Sequence, residues 1–163
     1  GYTLIELMVA ISVFSIVVAI TSSMLITSLK GQDKSFTSQN VADSARYAME
    51  MISREIRMGT SFPALDGVSN SIQFVSAMPH RDGKTVRFEL VSGQIMFDDD
   101  ISDAVAPTTI TSSNTIVGAL SFRLDGTASH PRVTIVMRIE SSGTKEDVKT
   151  SMDLQTTISP RRL

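Results

Sequence analysis

The sequence contains no cysteine and no tryptophan, and only two histidines among its 163 residues. Without cysteine the chain can form neither a disulfide scaffold nor a thiolate metal site. A basic excess is also missing, since 15 Lys and Arg against 17 Asp and Glu give a formal net charge of -2. Nucleic-acid-binding modules normally carry a clear positive excess, so nucleic acid is not an expected partner. The length corresponds to about one domain.

Charge is absent altogether from one long segment. Residues 7–29 contain no charged side chain, and the stretch up to Ile20 is almost wholly apolar. About 20 apolar residues are enough for a helix to cross the hydrocarbon core of a bilayer. A soluble helix of this length normally has a polar face, and none occurs here before Thr21. We therefore predict a membrane helix, whose large apolar residues are Leu7, Met8, Val9, Ile11, Val13, Phe14, Ile16, Val17, Val18 and Ile20.

Two simpler interpretations of this segment are a cleaved secretory signal and a plain transmembrane anchor. A cleaved secretory signal carries basic residues before a short apolar run, whereas no basic residue precedes this run and the run is too long. A plain transmembrane anchor fits the hydrophobicity equally well but leaves Glu6 unexplained. A carboxylate near the centre of a membrane helix costs about 2.5–3.5 kcal/mol on insertion scales, so it needs a partner or a use.

A family resemblance rests on the first nine residues, GYTLIELMV. They resemble the cleavage and methylation motif of type IV pilins and type II secretion pseudopilins. In that family a dedicated peptidase cuts after a glycine, the new aromatic N-terminus is N-methylated, and a glutamate follows four residues later. The resemblance implies that Gly1 is the last leader residue, Tyr2 the mature N-terminus and Glu6 the family's glutamate. Tyrosine stands where the family more often has phenylalanine.

Glu6 has a predicted physical role within this motif. Tyr2 and Glu6 are four residues apart, a spacing that places both on one face of a helix. A terminal amine and a carboxylate are each costly when isolated in an apolar setting. Two helices that are staggered axially can pair the amine of one with Glu6 of the next, which relieves both costs. We therefore expect Glu6 to fix the register between assembling subunits.

The helical pattern continues beyond the apolar run. Apolar residues recur at spacings of three or four and form one stripe, made of Val41, Ala45, Ala48, Ile52 and Ile56. Gly31, between the two halves, predicts a bend or a locally melted turn, because glycine costs about 1 kcal/mol relative to alanine inside a helix. Gly59 is the predicted C-cap of the helix, and Pro63 prevents its continuation.

After Gly59 the periodicity changes to two, which is typical of half-buried strands. The predicted strands are 71–75, 85–91, 94–97, 115–124, 132–140 and 148–158. Turns are expected at Ser92-Gly93, Asp125-Gly126 and Ser142-Gly143, and loops at 63–70, 79–83 and 98–114. Strands that follow one helix indicate an α+β fold, in which the helix stripe covers an antiparallel sheet.

The predicted organisation has three parts. Residues 1–30 hold the motif and the transmembrane helix, residues 31–59 its amphipathic continuation, and residues 60–163 a β-rich globular domain. A long helix, half in the membrane and half packed on such a domain, is what the pilin resemblance implies. The whole-chain pattern, which ends in LQTTISPRRL, more loosely resembles the J-type pseudopilins and the W-type minor pilins. Many major pilins close a C-terminal disulfide loop, and a chain without cysteine cannot, which favours a minor subunit.

Residues that carry chemistry are sparse. The sequence has no nucleophile motif, no glycine-rich phosphate loop and no histidine-based metal pattern, so we expect neither catalysis nor a cofactor. His80 and His130 are expected in surface turns, and Arg161-Arg162 predicts a disordered basic end. Four aspartates offer oxygens to Ca²⁺, but they lack the glycine and the distal glutamate of an EF-hand loop, so a solvated acidic turn is favoured. These aspartates are Asp98, Asp99, Asp100 and Asp103.

The sequence thus predicts a structural subunit, a minor pilin or pseudopilin, anchored by a single pass in the bacterial inner membrane with its globular domain in the periplasm. The expected partners are other pilins or pseudopilins, the prepilin peptidase and methyltransferase, the membrane platform of the assembly machine and the lipid bilayer. The alternative is a single-pass sensor or adhesin that enters no filament. Type IV pili, secretion pseudopili and DNA-uptake filaments share the motif, so the choice among them stays open.

Overall fold

One helix dominates the architecture of this chain. The structure, a computed structural model, describes residues 1, 3–62, 68–127, 130–143 and 149–161. Helix α1 spans Leu4–Arg57, and its 54 residues extend for about 80 Å at 1.5 Å per residue. The helix continues through Gly31 without interruption, so no turn is melted there. One glycine costs about 1 kcal/mol, whereas a break would require a second, unfavourable helix nucleation.

The C-terminus of α1 differs from the prediction in its mechanism. Met58 is the C-cap, and its N–H donates to the Glu55 carbonyl at 3.2 Å. Gly59 is not the cap but opens β1 (Gly59–Thr60). A Cβ at Gly59 would lie 2.5 Å from the Phe74 ring and 2.8 Å from the Phe62 ring. Glycine is therefore required here for space, and Pro63 lies outside the described residues.

The strands form two antiparallel sheets, where one was predicted. The first has the order β1-β3-β4-β5-β6 and the second the order β2-β7-β8-β9. The remaining strands are β2 (Val68–Ser69), β3 (Ser71–Ser76), β4 (Thr85–Val91), β5 (Gln94–Asp98), β6 (Thr108–Thr109), β7 (Thr115–Thr127), β8 (His130–Ser141) and β9 (Ser151–Ile158). All six predicted strands are present, one with its predicted ends and five with shifted ends. The sequence missed β1, β2 and β6, because two-residue strands carry no periodicity.

The predicted turns have different outcomes. Ser92 and Gly93 join β4 to β5 with φ values of 50° and 77°, the left-handed pair that a two-residue hairpin turn requires. The prediction of a turn at Asp125-Gly126 is wrong, because β7 continues to Thr127 and Gly126 pairs with Pro131 of β8. The connection falls at 128–129, outside the described residues. Residues 144–148 are also outside them, including the predicted start of the last strand at 148.

The hydrophobic core lies between the outer part of α1 and the two sheets. Each residue of the predicted stripe from Val41 to Ile56 is fully buried, which confirms the amphipathic continuation of the helix. Alternate residues of β8 are fully buried as well, and they are Val133, Ile135, Met137 and Ile139. Phe74, Phe88 and Phe97 stack across the first sheet. No described residue before Val41 belongs to the core.

Two buried polar contacts join α1 to the β-rich part of the chain. The Ser44 hydroxyl accepts from the Ser112 N–H at 3.1 Å and lies 3.3 Å from the Thr115 hydroxyl. Glu55, only 4% exposed, accepts a hydrogen bond at 2.6 Å from the Arg81 guanidinium in the β3–β4 loop. Since buried polar groups are costly when unpaired, these contacts fix the rotation of the helix about its axis.

Candidate functional site

The N-terminal half of α1 presents its apolar side chains on every face. The ten predicted membrane residues are all exposed, between 44% for Val18 and 68% for Phe14. In the described chain this is the one helix long and apolar enough to cross a membrane, by length and composition. Exposed apolar surface of this extent marks a membrane or protein interaction site, because water solvates it poorly. The segment therefore needs lipid or other helices around it.

Four hydroxyl groups within this segment donate to the backbone of the helix itself. Ser12 and Ser15 donate to the carbonyls of Met8 and Ile11, each at 2.8 Å. Thr21 and Thr27 donate in the same way four residues back, at 2.8 and 3.0 Å. A hydroxyl that bonds its own backbone does not have to be left unpaired in hydrocarbon. The polar residues of the segment are thus compatible with a bilayer.

Glu6 has a local partner that the sequence analysis did not identify. Thr3 is the N-cap of α1, and its hydroxyl accepts from the Glu6 N–H at 3.3 Å. The Thr3 N–H in turn donates to Glu6 Oε2 at 3.4 Å, which completes a capping box. The signal was present in the sequence as a threonine followed three residues later by a glutamate before an apolar run. Glu6 therefore has a use in any helix that starts here, including that of a plain anchor.

The remaining motif residues lie before the helix. Gly1 is exposed, and nothing lies within 4 Å of the place where its Cβ would be. Helix α1 begins at Leu4, and the predicted placement of Tyr2 and Glu6 on one face involves a residue outside the described ranges. Tyr2 itself is outside the described residues. Glu6 sits in the first turn, where the positive end of the helix dipole favours a negative charge. Its Oε1 has no hydrogen bond among the described residues, so one oxygen can accept from a neighbour.

The four aspartates do not converge on one point. Asp98 is buried and accepts from Arg87 at 3.3 Å, whereas Asp100 contacts Lys84 at 3.3 Å. Hydrogen bonds from Ser102 lower the pKa of Asp100 below its usual 3.8. Asp103 accepts from a backbone N–H two residues on, and Asp99 is exposed. Among the residues described, no group of three or more His, Asp or Glu side chains is arranged to hold a metal ion.

The two histidines and the C-terminal arginines are only partly as predicted. His80 is exposed in the β3–β4 turn, while His130 is exposed at the first position of β8 and not in a turn. Arg161 is tied down rather than disordered, because its N–H donates to the Arg57 carbonyl at 2.9 Å. Arg162 lies outside the described residues. The C-terminal segment thus returns to the end of α1.

Comparison with known families bears on the same N-terminal segment. Residues 1–22 match the family model described as the prokaryotic N-terminal methylation motif. This match covers the predicted processing residues, Glu6 and most of the apolar run, and it supports a type IV pilin-like family for the chain. No curated protein and no solved structure matches the sequence.

Proposed function

We propose that this protein is a structural minor subunit, a pilin or pseudopilin, of a type IV filament or a type II secretion pseudopilus. The observation that carries the proposal is the methylation motif at residues 1–22, which opens a helix whose apolar residues are exposed on every face. The helix holds the subunit in the inner membrane before assembly and packs against other helices in the filament. The domain outside the membrane faces neighbouring subunits. The absence of cysteine supports a minor subunit, because the disulfide loop of many major pilins cannot form.

Processing completes this proposal. The prepilin peptidase cuts after Gly1, and methylation then modifies the amine of Tyr2. In the assembled filament that amine pairs with Glu6 of a neighbouring subunit. The role is structural, so the chain is a substrate of these enzymes and not itself a catalyst. The intact mass and N-terminal sequence of the protein from native membranes test this step directly. We expect a chain that starts at N-methylated Tyr2, and an uncut leader in cells with an active prepilin peptidase contradicts the proposal.

The capping box favours one competing function, a single-pass sensor or adhesin outside any filament, because it gives Glu6 a use without any neighbour. Three variants separate the two roles of Glu6. Glu6→Gln keeps an oxygen that can accept from the Thr3 N–H but removes the charge that pairs with an amine. Thr3→Ala removes the cap, at about 1 kcal/mol, and keeps the charge. Glu6→Ala removes the charge and the oxygen that accepts from the Thr3 N–H, but keeps the bond from its own N–H to the Thr3 hydroxyl.

We expect all three variants to insert into the membrane. Glu6→Gln and Glu6→Ala should be missing from filaments sheared off the cells, whereas Thr3→Ala should be present. The opposite pattern, in which Glu6→Gln assembles and Thr3→Ala does not, assigns Glu6 to capping alone and rules out the intersubunit pairing. Normal assembly of all three leaves no role for Glu6 in register, whereas absence of the unmodified protein from the filament fraction favours the sensor or adhesin.

A further inference from the structure

A groove rimmed by arginines runs between the outer part of α1 and β9, with a volume of about 560 Å³. We call it the arginine groove. Its rim carries Arg46, Arg54, Arg57 and Arg161, and its floor carries Met49, Met58 and Leu154. The sequence could not show it, because Arg161 reaches the rim only through the backbone bond that returns the C-terminal segment to Arg57.

The positive charge of this groove is mostly unneutralised. Arg54 pairs with Glu50 at 2.6 Å along the helix surface. Within the described ranges, Arg46, Arg57 and Arg161 have no ion pair. Three guanidinium groups without an ion pair beside apolar side chains favour an occupant that brings carboxylates and apolar side chains.

Lipid headgroups cannot supply these carboxylate-like charges. Arg46 lies 17 residues beyond Leu29, the last residue of the uncharged run, which is about 26 Å along the helix. Electrostatic attraction at physiological salt is screened over about 8 Å. The occupant is therefore a protein segment that lies beside the globular domain.

The same chain carries a segment with the complementary chemistry. The acidic turn, residues 99–105, exposes Asp99 and Asp103 together with Ile101 and Val105, which are 39% and 65% exposed. Asp99 and Val105 line a second groove of about 600 Å³, on the side of α1 that carries Tyr47 and Met51. At 100° per residue, that side is about 120° around the helix from the arginine groove. The two surfaces flank the helix on either side of its outward face.

We propose that the acidic turn of one copy docks into the arginine groove of the next copy in the filament. A contact between two different surfaces is heterologous, and it extends into an open helical array when the rotation does not close a ring. This inference rests on the proposed filament function and adds that copies of this subunit occupy neighbouring positions. A minor subunit with this contact occurs in adjacent copies and not singly among other subunits.

Cysteine crosslinking of the full-length protein in cells tests the contact, because the native chain has no cysteine. Ser53→Cys lies in the arginine groove, and Ala104→Cys lies in the exposed acidic turn. When the two forms are co-expressed and oxidised, we expect a disulfide dimer that contains one of each in the sheared filament fraction. The matched control pairs Ala104→Cys with His130→Cys, which is exposed at the start of β8, and should give no dimer.

Charge reversal then identifies the surfaces. Arg46→Glu with Arg57→Glu in the Ser53→Cys form should lower the yield of dimer about tenfold, and Asp99→Lys with Asp103→Lys in the other form should restore it. The inference is overturned if both forms are in the filament fraction without a dimer, if charge reversal has no effect, or if Ser53→Cys crosslinks to a different protein. Absence of both forms from the filament fraction is a separate result, which overturns the proposed function as well.

Discussion

Removing the Arg81 guanidinium should leave the Glu55 carboxylate buried without a partner. The two side chains are 18% and 6% exposed, and Arg81 also lies 4.9 Å from the centre of the Phe97 ring. Glu55 Oε2 has no hydrogen bond. The bond that Oε1 accepts from the Arg81 guanidinium must therefore compensate for the water that the whole carboxylate loses on burial. Breaking a buried ion pair from one side costs about 3–5 kcal/mol. This is a large share of the about 5–15 kcal/mol that holds a domain folded.

The expected result for Arg81→Met is a Tm lowered by about 6–12 °C, from 3 kcal/mol at about 2–4 °C per kcal/mol. Replacing both partners, in Glu55→Leu with Arg81→Met, should recover most of this loss, because an apolar pair of similar volume needs no solvation. The measurement is thermal unfolding followed by circular dichroism, with the full chain in detergent micelles.

The matched control lies one residue away on the same helix. Arg54→Met removes the pair with Glu50, whose side chains are 66% and 70% exposed, and should change stability by less than about 0.5 kcal/mol. Two results would refute the conclusion that Glu55 and Arg81 form a stabilising buried ion pair. One is that Arg81→Met lowers the Tm no more than Arg54→Met, and the other is that the double variant has a Tm no higher than that of Arg81→Met.

Three other predictions follow from the same structure. Gly59→Ala should destabilise by about 1–3 kcal/mol in the same assay, because a Cβ there overlaps two phenylalanine rings, whereas Gly143→Ala, with nothing within 4 Å, should not. Deleting residues 1–33 should leave a water-soluble protein with the Tm of the full chain, since the core begins at residue 41; a molten or aggregated product contradicts this. Hydrogen bonding to Arg138 lowers the pKa of Asp153 below 3.8, so this pair adds stability above that pH and loses it as the pH falls through the lowered value. The acid limb of a stability–pH curve should therefore flatten slightly in Asp153→Asn, and an unchanged limb refutes the link.

Periodic features of the fold were predictable from the sequence. The stripe from Val41 to Ile56 and the alternation in β8 repeat often enough that burial of one member implies burial of the rest. The long helix was predictable because an uncharged run long enough to cross a bilayer leads into a stripe with helical spacing. The membrane segment was predictable for a simpler reason. Its 23 residues carry no charge, and this property does not depend on any contact with another part of the chain.

Features that depend on one distant contact were not predictable. Gly59 suggested a cap, but its real constraint is the Phe74 ring, which arrives from another strand. Asp125-Gly126 has the composition of a turn, yet pairing with β8 holds it inside the ladder. The arginine groove needs Arg161 beside Arg57, over 100 residues apart in sequence. The capping box of Thr3 and Glu6 is different, because its spacing was visible and only the family motif drew attention away from it.

Helix α1 runs through Gly31 without interruption and so connects the apolar N-terminal half directly to the half that packs on the sheets. Transmembrane helices tilt by about 20° on average. When a straight helix of about 80 Å tilts by this angle, its C-terminal end moves sideways by about 27 Å. A small rocking of the anchor within the bilayer therefore sweeps the globular domain across a broad area of the membrane surface.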